Sequence, residues 1–261
     1  MWVPSALVTI DTAPARRSQR PPRATRTGWI IVAACVAVAV VIALVVTRPW
    51  SDDGPADELA DGTGGTAQQE PATVARGTDD AATLTLSGSA QALQVTADAS
   101  DDDLLRAESD GADQPTVDGD RLELRGGIVH LRLAPDVVWT LAITEGMDTV
   151  DVNLTGGRLA ALDLSGGARL ITLTLPKPDG AVTIDQSAGA QDLVVHLPQD
   201  TGAVAHVTSG VGTVAIDGTK TQGVGAGTDL ATKPRGDDYY TVNVGGGLGT
   251  LTIDHPDTQS P

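Results

Sequence analysis

The chain has 261 residues, no Phe, only 2% aromatic residues and a formal net charge of −17. A core without aromatics must be made from Val, Leu, Ile and Ala, which suits thin, regular layers. The charge is split: residues 1–48 carry six Arg against Asp11, whereas the rest carries 11 basic and 33 acidic groups. A region that acidic repels nucleic-acid phosphates and anionic lipid heads, so nucleic acid is excluded as a partner.

Residues 1–28 hold five Arg and four Pro without apolar periodicity after Ile10, the composition of a disordered basic cytoplasmic tail. Trp29 to Val46 is a run of 18 apolar residues without a charge. As a helix it spans roughly 27 Å, close to the ~30 Å hydrocarbon core. The run predicts a transmembrane helix over 29–47, with Trp29 and Trp50 at the two interfaces. Arg16, Arg17, Arg20, Arg23 and Arg26 precede it, and Asp52, Asp53, Asp57 and Glu58 follow. The positive-inside rule then gives a single-pass protein of the cell membrane, N-terminus cytoplasmic and the bulk extracellular. The alternatives are a cleaved signal peptide and a lipoprotein box. The first lacks a small-residue cleavage site before Thr47-Arg48-Pro49-Trp50, and the second would bury Cys35 inside the run. Cys35 is the sole cysteine, so an intrachain disulfide is impossible.

Residues 48–80 are acidic and lack a hydrophobic pattern, as in a disordered stalk. From residue 81 apolar and polar residues alternate, as in Thr83-Leu84-Thr85-Leu86 and Val129-His130-Leu131-Arg132-Leu133. Residues 97–121 form an acidic excursion and 219–238 a long Gly-containing loop. Between them Leu133, Leu154, Leu175 and Leu197 recur at steps of 21, 21 and 22 residues. Thr144, Ser165, Ser187 and Ser209 keep nearly the same step. Period-two strands repeating every 21–22 residues predict an all-β domain over 81–255, a parallel β-solenoid (β-helix), with 256–261 as a tail. A Greek-key sandwich is the alternative, since it too has short strands and frequent turns.

The segment from Val194 to Gly218 runs through Leu197-Pro198, a strand, the turn Ser209-Gly210-Val211-Gly212 and a closing strand. In this order it resembles the adhesin (auto-transporter head-like) domains of bacterial envelope proteins. It is also similar to the C-terminal domain of Lia-type cell-wall-stress response proteins. The likeness covers 81–255 in outline and 181–254 in more detail. It implies a β-helical extracytoplasmic domain and brings no catalytic residues with it.

No residues are assigned to catalysis, a cofactor or a metal. Gly245-Gly246-Gly247-Leu248-Gly249 precedes a strand and lacks the Lys-Ser/Thr of a phosphate loop. Asp101, Asp102, Asp103, Asp118 and Asp120 lack the spacing of a calcium loop. His130, His196, His206 and His255 form no i, i+2 or i, i+4 ligand pair. Asn153-Leu154-Thr155 matches a glycosylation sequon inside a predicted strand. Asp163 and Asp185 fall one repeat apart, and in stacked coils their carboxylates lie about 5 Å apart, the spacing of retaining glycosidases. They are also the ordinary outward residues of amphipathic strands. The reading is therefore a non-enzymatic, membrane-anchored adhesin-like or cell-envelope scaffold, needing no cofactor, with surface protein or glycan partners. A polysaccharide-acting enzyme and an accessory of envelope-stress sensing are the alternatives.

Overall fold

Alternating apolar and polar residues, broken by Gly, produce strands along the whole described part of the chain. The computed structural model describes residues 70–232 and 237–256, all within the unit Gly65–Pro261. The strands are, in order, β1 (Ala72–Ala75), β2 (Ala81–Thr96), β3 (Asp103–Ser109), β4 (Thr116–Asp118), β5 (Arg121–Leu133) and β6 (Val138–Ile143). Next come β7 (Met147–Asn153), β8 (Arg158–Leu164), β9 (Ala168–Thr174), β10 (Ala181–Gln186), β11 (Ala190–His196) and β12 (Gly202–Val207). The last are β13 (Val211–Ile216), β14 (Thr219–Val224), β15 (Thr228–Ala231), β16 (Tyr239–Val244) and β17 (Leu248–Asp254). No helix occurs among the described residues, and none there is long and apolar enough to cross a membrane. The helix expected at 29–47 lies outside the described residues, as does the basic tail.

One 17-stranded mixed sheet wraps around a single core, nearly closed into a barrel. On one face β2, β6, β8, β10, β16 and β12 pair in parallel, and on the other β2, β7, β9, β11, β17 and β13 do. Facing rows fill the space between. Leu84, Leu141, Leu162, Ile184, Val242 and Ala205 form one row, and Leu93, Val150, Ile171, Leu193, Leu251 and Val214 the other. None of the twelve is more than 3% exposed. Burying an aliphatic side chain of this size contributes about 1.5–3 kcal/mol, so these rows are the main source of stability. Both core aromatics place their polar ends: Trp139 Nε1 donates to the Ala134 carbonyl at 2.9 Å and the Tyr240 hydroxyl to that of Pro176 at 2.8 Å.

β2 and β5 pass through both faces as single long strands. They bend at Gly88 (φ 94°) and Gly126 (φ 87°), a region that a Cβ makes costly. At Gly88 a Cβ would also run into the Leu124 carbonyl. Other strands turn the same corner through short breaks at 144–146, 165–167 and 187–189.

The uninterrupted parallel solenoid expected from the repeat is not what forms. First, the sheet is mixed: β3 and β4 pair antiparallel with β5, β1 with β3, β15 with β12, and β14 with β13. Second, the spatial order departs from the sequence at both ends of the repeat. β2 lies between β5 and the β6–β7 pair, and β16–β17 lie between β10–β11 and β12–β13. The reason is burial. β16 and β17 carry Tyr240, Val242, Val244, Leu248, Leu251 and Ile253, all buried, and need cover on both sides. β14 is polar and exposed from Thr219 to Gly223 and serves at an edge. The Greek-key alternative fails as well, because neighbouring strands through the middle are parallel. The acidic excursion and the long loop are where the capping strands β3, β4, β14 and β15 arise.

Candidate binding surface

Residues that point away from the core form rows across the sheet, because register partners share a face. On the first face the row runs Asp163, Asp185, Asn243, His206 and Asp229 over β8, β10, β16, β12 and β15. Asn243 Nδ2 donates to Asp185 Oδ1 at 2.6 Å, and His206 Nδ1 lies 2.7 Å from Asp229 Oδ1. Asp163 and Asp185 are thus register partners on an exposed face. Neither lines the cleft described below.

On the second face Asn153, Thr174, His196 and Asp254 are successive partners, and Asp217 follows at the end of β13. His196 Nδ1 is 2.6 Å from Asp254 Oδ1. His255, just past β17, faces two acceptors: Nδ1 lies 2.8 Å from Asp217 Oδ1 and Nε2 2.7 Å from the Thr201 carbonyl. Burial works against a charge on this ring. The Thr201 carbonyl, the Asp217 carboxylate and the nearby Asp254 charge outweigh it and raise the His255 pKa above its ordinary value. Sequence spacing could not announce these His–Asp pairs. Their partners stand 58, 23 and 38 residues apart.

The other singled-out residues have local roles. Asn153 is exposed, and its Oδ1 accepts the Thr155 N–H at 3.1 Å, closing a turn after β7. Asp103 opens β3 and accepts from the Ser100 hydroxyl at 2.8 Å, and Asp118 ends β4. His130 is exposed on β5. The backbone N–H groups of Thr144, Ser165 and Ser187 donate to the carbonyls of Leu86, Ile143 and Leu164. Beyond Ser187 the corner positions belong to Gly245 and then Thr208, rather than directly to Ser209. Gly245 to Gly247 turn β16 into β17, Gly249 lies in β17, and a Cβ at Gly246 would collide with the Ala188 carbonyl. Gln186 is buried in a row otherwise made of Ile143, Leu164, Val244 and Val207. Its Nε2 donates to the Ala188 carbonyl, while Oε1 is without a partner.

Arg169 grips Asp148 at 2.9 Å and Arg76 grips Asp136 at 3.0 Å, and each guanidinium holds its carboxyl below the usual carboxylate range. Among the described residues no group of three His, Cys, Asp or Glu could hold a metal ion. A cleft of about 320 Å³ opens at the end of the sheet between β13, β14 and β15, lined by Val214, Ile216, Asp217, Thr219, Thr221 and Leu230 with Ala231. Broad polar faces carry ionisable groups, eight acids among them in ion pairs, and the cleft lies at an edge.

The sequence matches no protein-family profile and no curated protein. Its fold is similar to that of a candidate cell adhesion protein from Clostridium sporogenes ATCC 15579, known from a crystal structure. The likeness has a TM-score of 0.54 at 17% identity and covers 72% of this chain and 98% of that one. At this identity the likeness is one of fold.

Proposed function

We propose that the β-domain is a non-enzymatic, adhesin-like binding module of the cell envelope, working outside the cytoplasm. The observation that carries this reading is the fold likeness, which takes in nearly the whole length of the candidate adhesion protein. The surface supports it. Flat rows of short polar side chains offer wide, shallow contact, and the acidic balance favours cationic or cation-bridged protein or glycan partners. The arginine asymmetry about residues 29–46 supports the location.

The test is binding of the full chain to immobilised cell-surface protein and glycan at low and high salt. Association that weakens with salt, without glycan turnover, is the expected result. Glycan cleavage abolished by Asp163→Asn or Asp185→Asn would promote the enzymatic alternative, and absence of binding at every salt would end the adhesin reading. External protease on intact cells should degrade the β-domain, and full protection would refute the location.

A further inference from the structure

We propose that His255 is a pH-dependent latch that holds the inserted β16–β17 layer in place when protonated. The geometry fixes the chemistry. A backbone carbonyl only accepts, so Nε2 facing Thr201 must carry a proton. The Asp217 carboxylate accepts as well, so Nδ1 must carry the other. Only the imidazolium satisfies both contacts. A neutral ring turns a lone pair toward one oxygen, and that contact becomes repulsive.

The latch joins three segments: the end of β17, the turn after β13 at Asp217, and the turn before β12 at Thr201. These flank the place where the last strands of the chain are wedged between earlier ones. The ring is only 11% exposed, so bulk water is a poor substitute for either acceptor. The charged and titratable groups around it are Asp217 beyond β13, Asp254 at the end of β17 and His196 on β11, which is held by Asp254. Asp200 lies in the turn that supplies Thr201, and from that turn Gln199 donates to the carbonyls of His255 and Pro256. The nearest acids favour the imidazolium. Because the folded pKa is raised, the stabilisation is complete below the unfolded value, about 6.5. It is lost as pH rises through the folded value.

The experiment is carried out on the full chain. Histidine-specific NMR titration should place His255 above the ordinary value. Hydrogen exchange, corrected for its intrinsic pH dependence, should become at least about twofold faster in 248–254 above the His255 pKa, while 158–174 stays unchanged. His255→Gln should remove that pH dependence. Titration of His255 at or below the ordinary value overturns the latch, as does a pH dependence that survives in His255→Gln. Should that variant fail to fold, the wild-type titration and exchange decide the matter.

Discussion

The stretch from β6 to β11 and the stretch from β12 to β17 are built from the same alternation, yet they assemble differently. In the first, each pair of strands stacks on the pair that preceded it, with Asp163 beside Asp185 and Thr172 beside Val194. In the second, β12–β13 do not pair with β10–β11, because β16–β17 lie between them. Local pattern decides that a strand forms and which side faces in. Which strand lies next to it is decided by how much apolar surface each must hide and which can tolerate an edge.

The largest test of that difference is to end the chain at Asp238, deleting β16 and β17. Hydrogen exchange should show β12–β15 losing nearly all protection and β10–β11 much of theirs, while β6–β9 keep theirs. Undiminished protection of β12–β13 would mean they stack directly on β10–β11, and the observed order is not required. Next, Leu193→Ala in the regular stretch and Leu251→Ala in the inserted strand each remove a fully buried side chain. Each should cost about 2–5 kcal/mol by denaturant unfolding. A much smaller cost at Leu251 would mean that β17 is not covered on both sides. Leu175→Ala and Leu197→Ala, also buried, belong to the same class.

Glycines sharpen the comparison at the corner. A Cβ at Gly246 meets the Ala188 carbonyl, whereas at Gly247 it meets nothing within 4 Å. Gly246→Ala should cost about 1–3 kcal/mol, while Gly247→Ala should stay within about 0.5 kcal/mol. Equal effects would mean that 245–247 does not lie against 186–188. The smallest expected change is at the exposed Lys177 and Gln199, where replacement by Ala should alter stability by less than about 0.5 kcal/mol. A loss comparable to the leucines at either position would place that side chain in the core.

The sequence made the strands between 133 and 217 readable because their inward residues keep a fixed step of 21 or 22. That step survives even where a foreign strand has entered. Leu133 and Leu154 keep their interval although β2 lies between β5 and β7, and the inward positions Gln186 and Val207 keep a step of 21 residues with β16 between β10 and β12. Periodicity records shared geometry rather than adjacency, and this is why an unbroken solenoid looked sufficient. The capping strands were hidden for another reason. Thr219-Lys220-Thr221-Gln222 is exposed on every residue, so no apolar alternation marks it, and the acids of 97–121 mask β3. The Asp163–Asp185 register was legible. The His–Asp pairs were not, since each depends on which distant strand arrives alongside.

The placement of β16 and β17 has a consequence for how the molecule is made. A chain synthesised from its N-terminus has completed β10 to β13 before the residues that separate them exist. Until Asp254 has emerged, both pairs present open strand edges toward the gap, the state most exposed to wrong pairing and to proteases. Folding of this half is therefore a gap-filling event that waits on β16 and β17. A chain that stops before β16 is left with unmatched edges on β10–β11 and β12–β13 instead of a slightly shorter sheet.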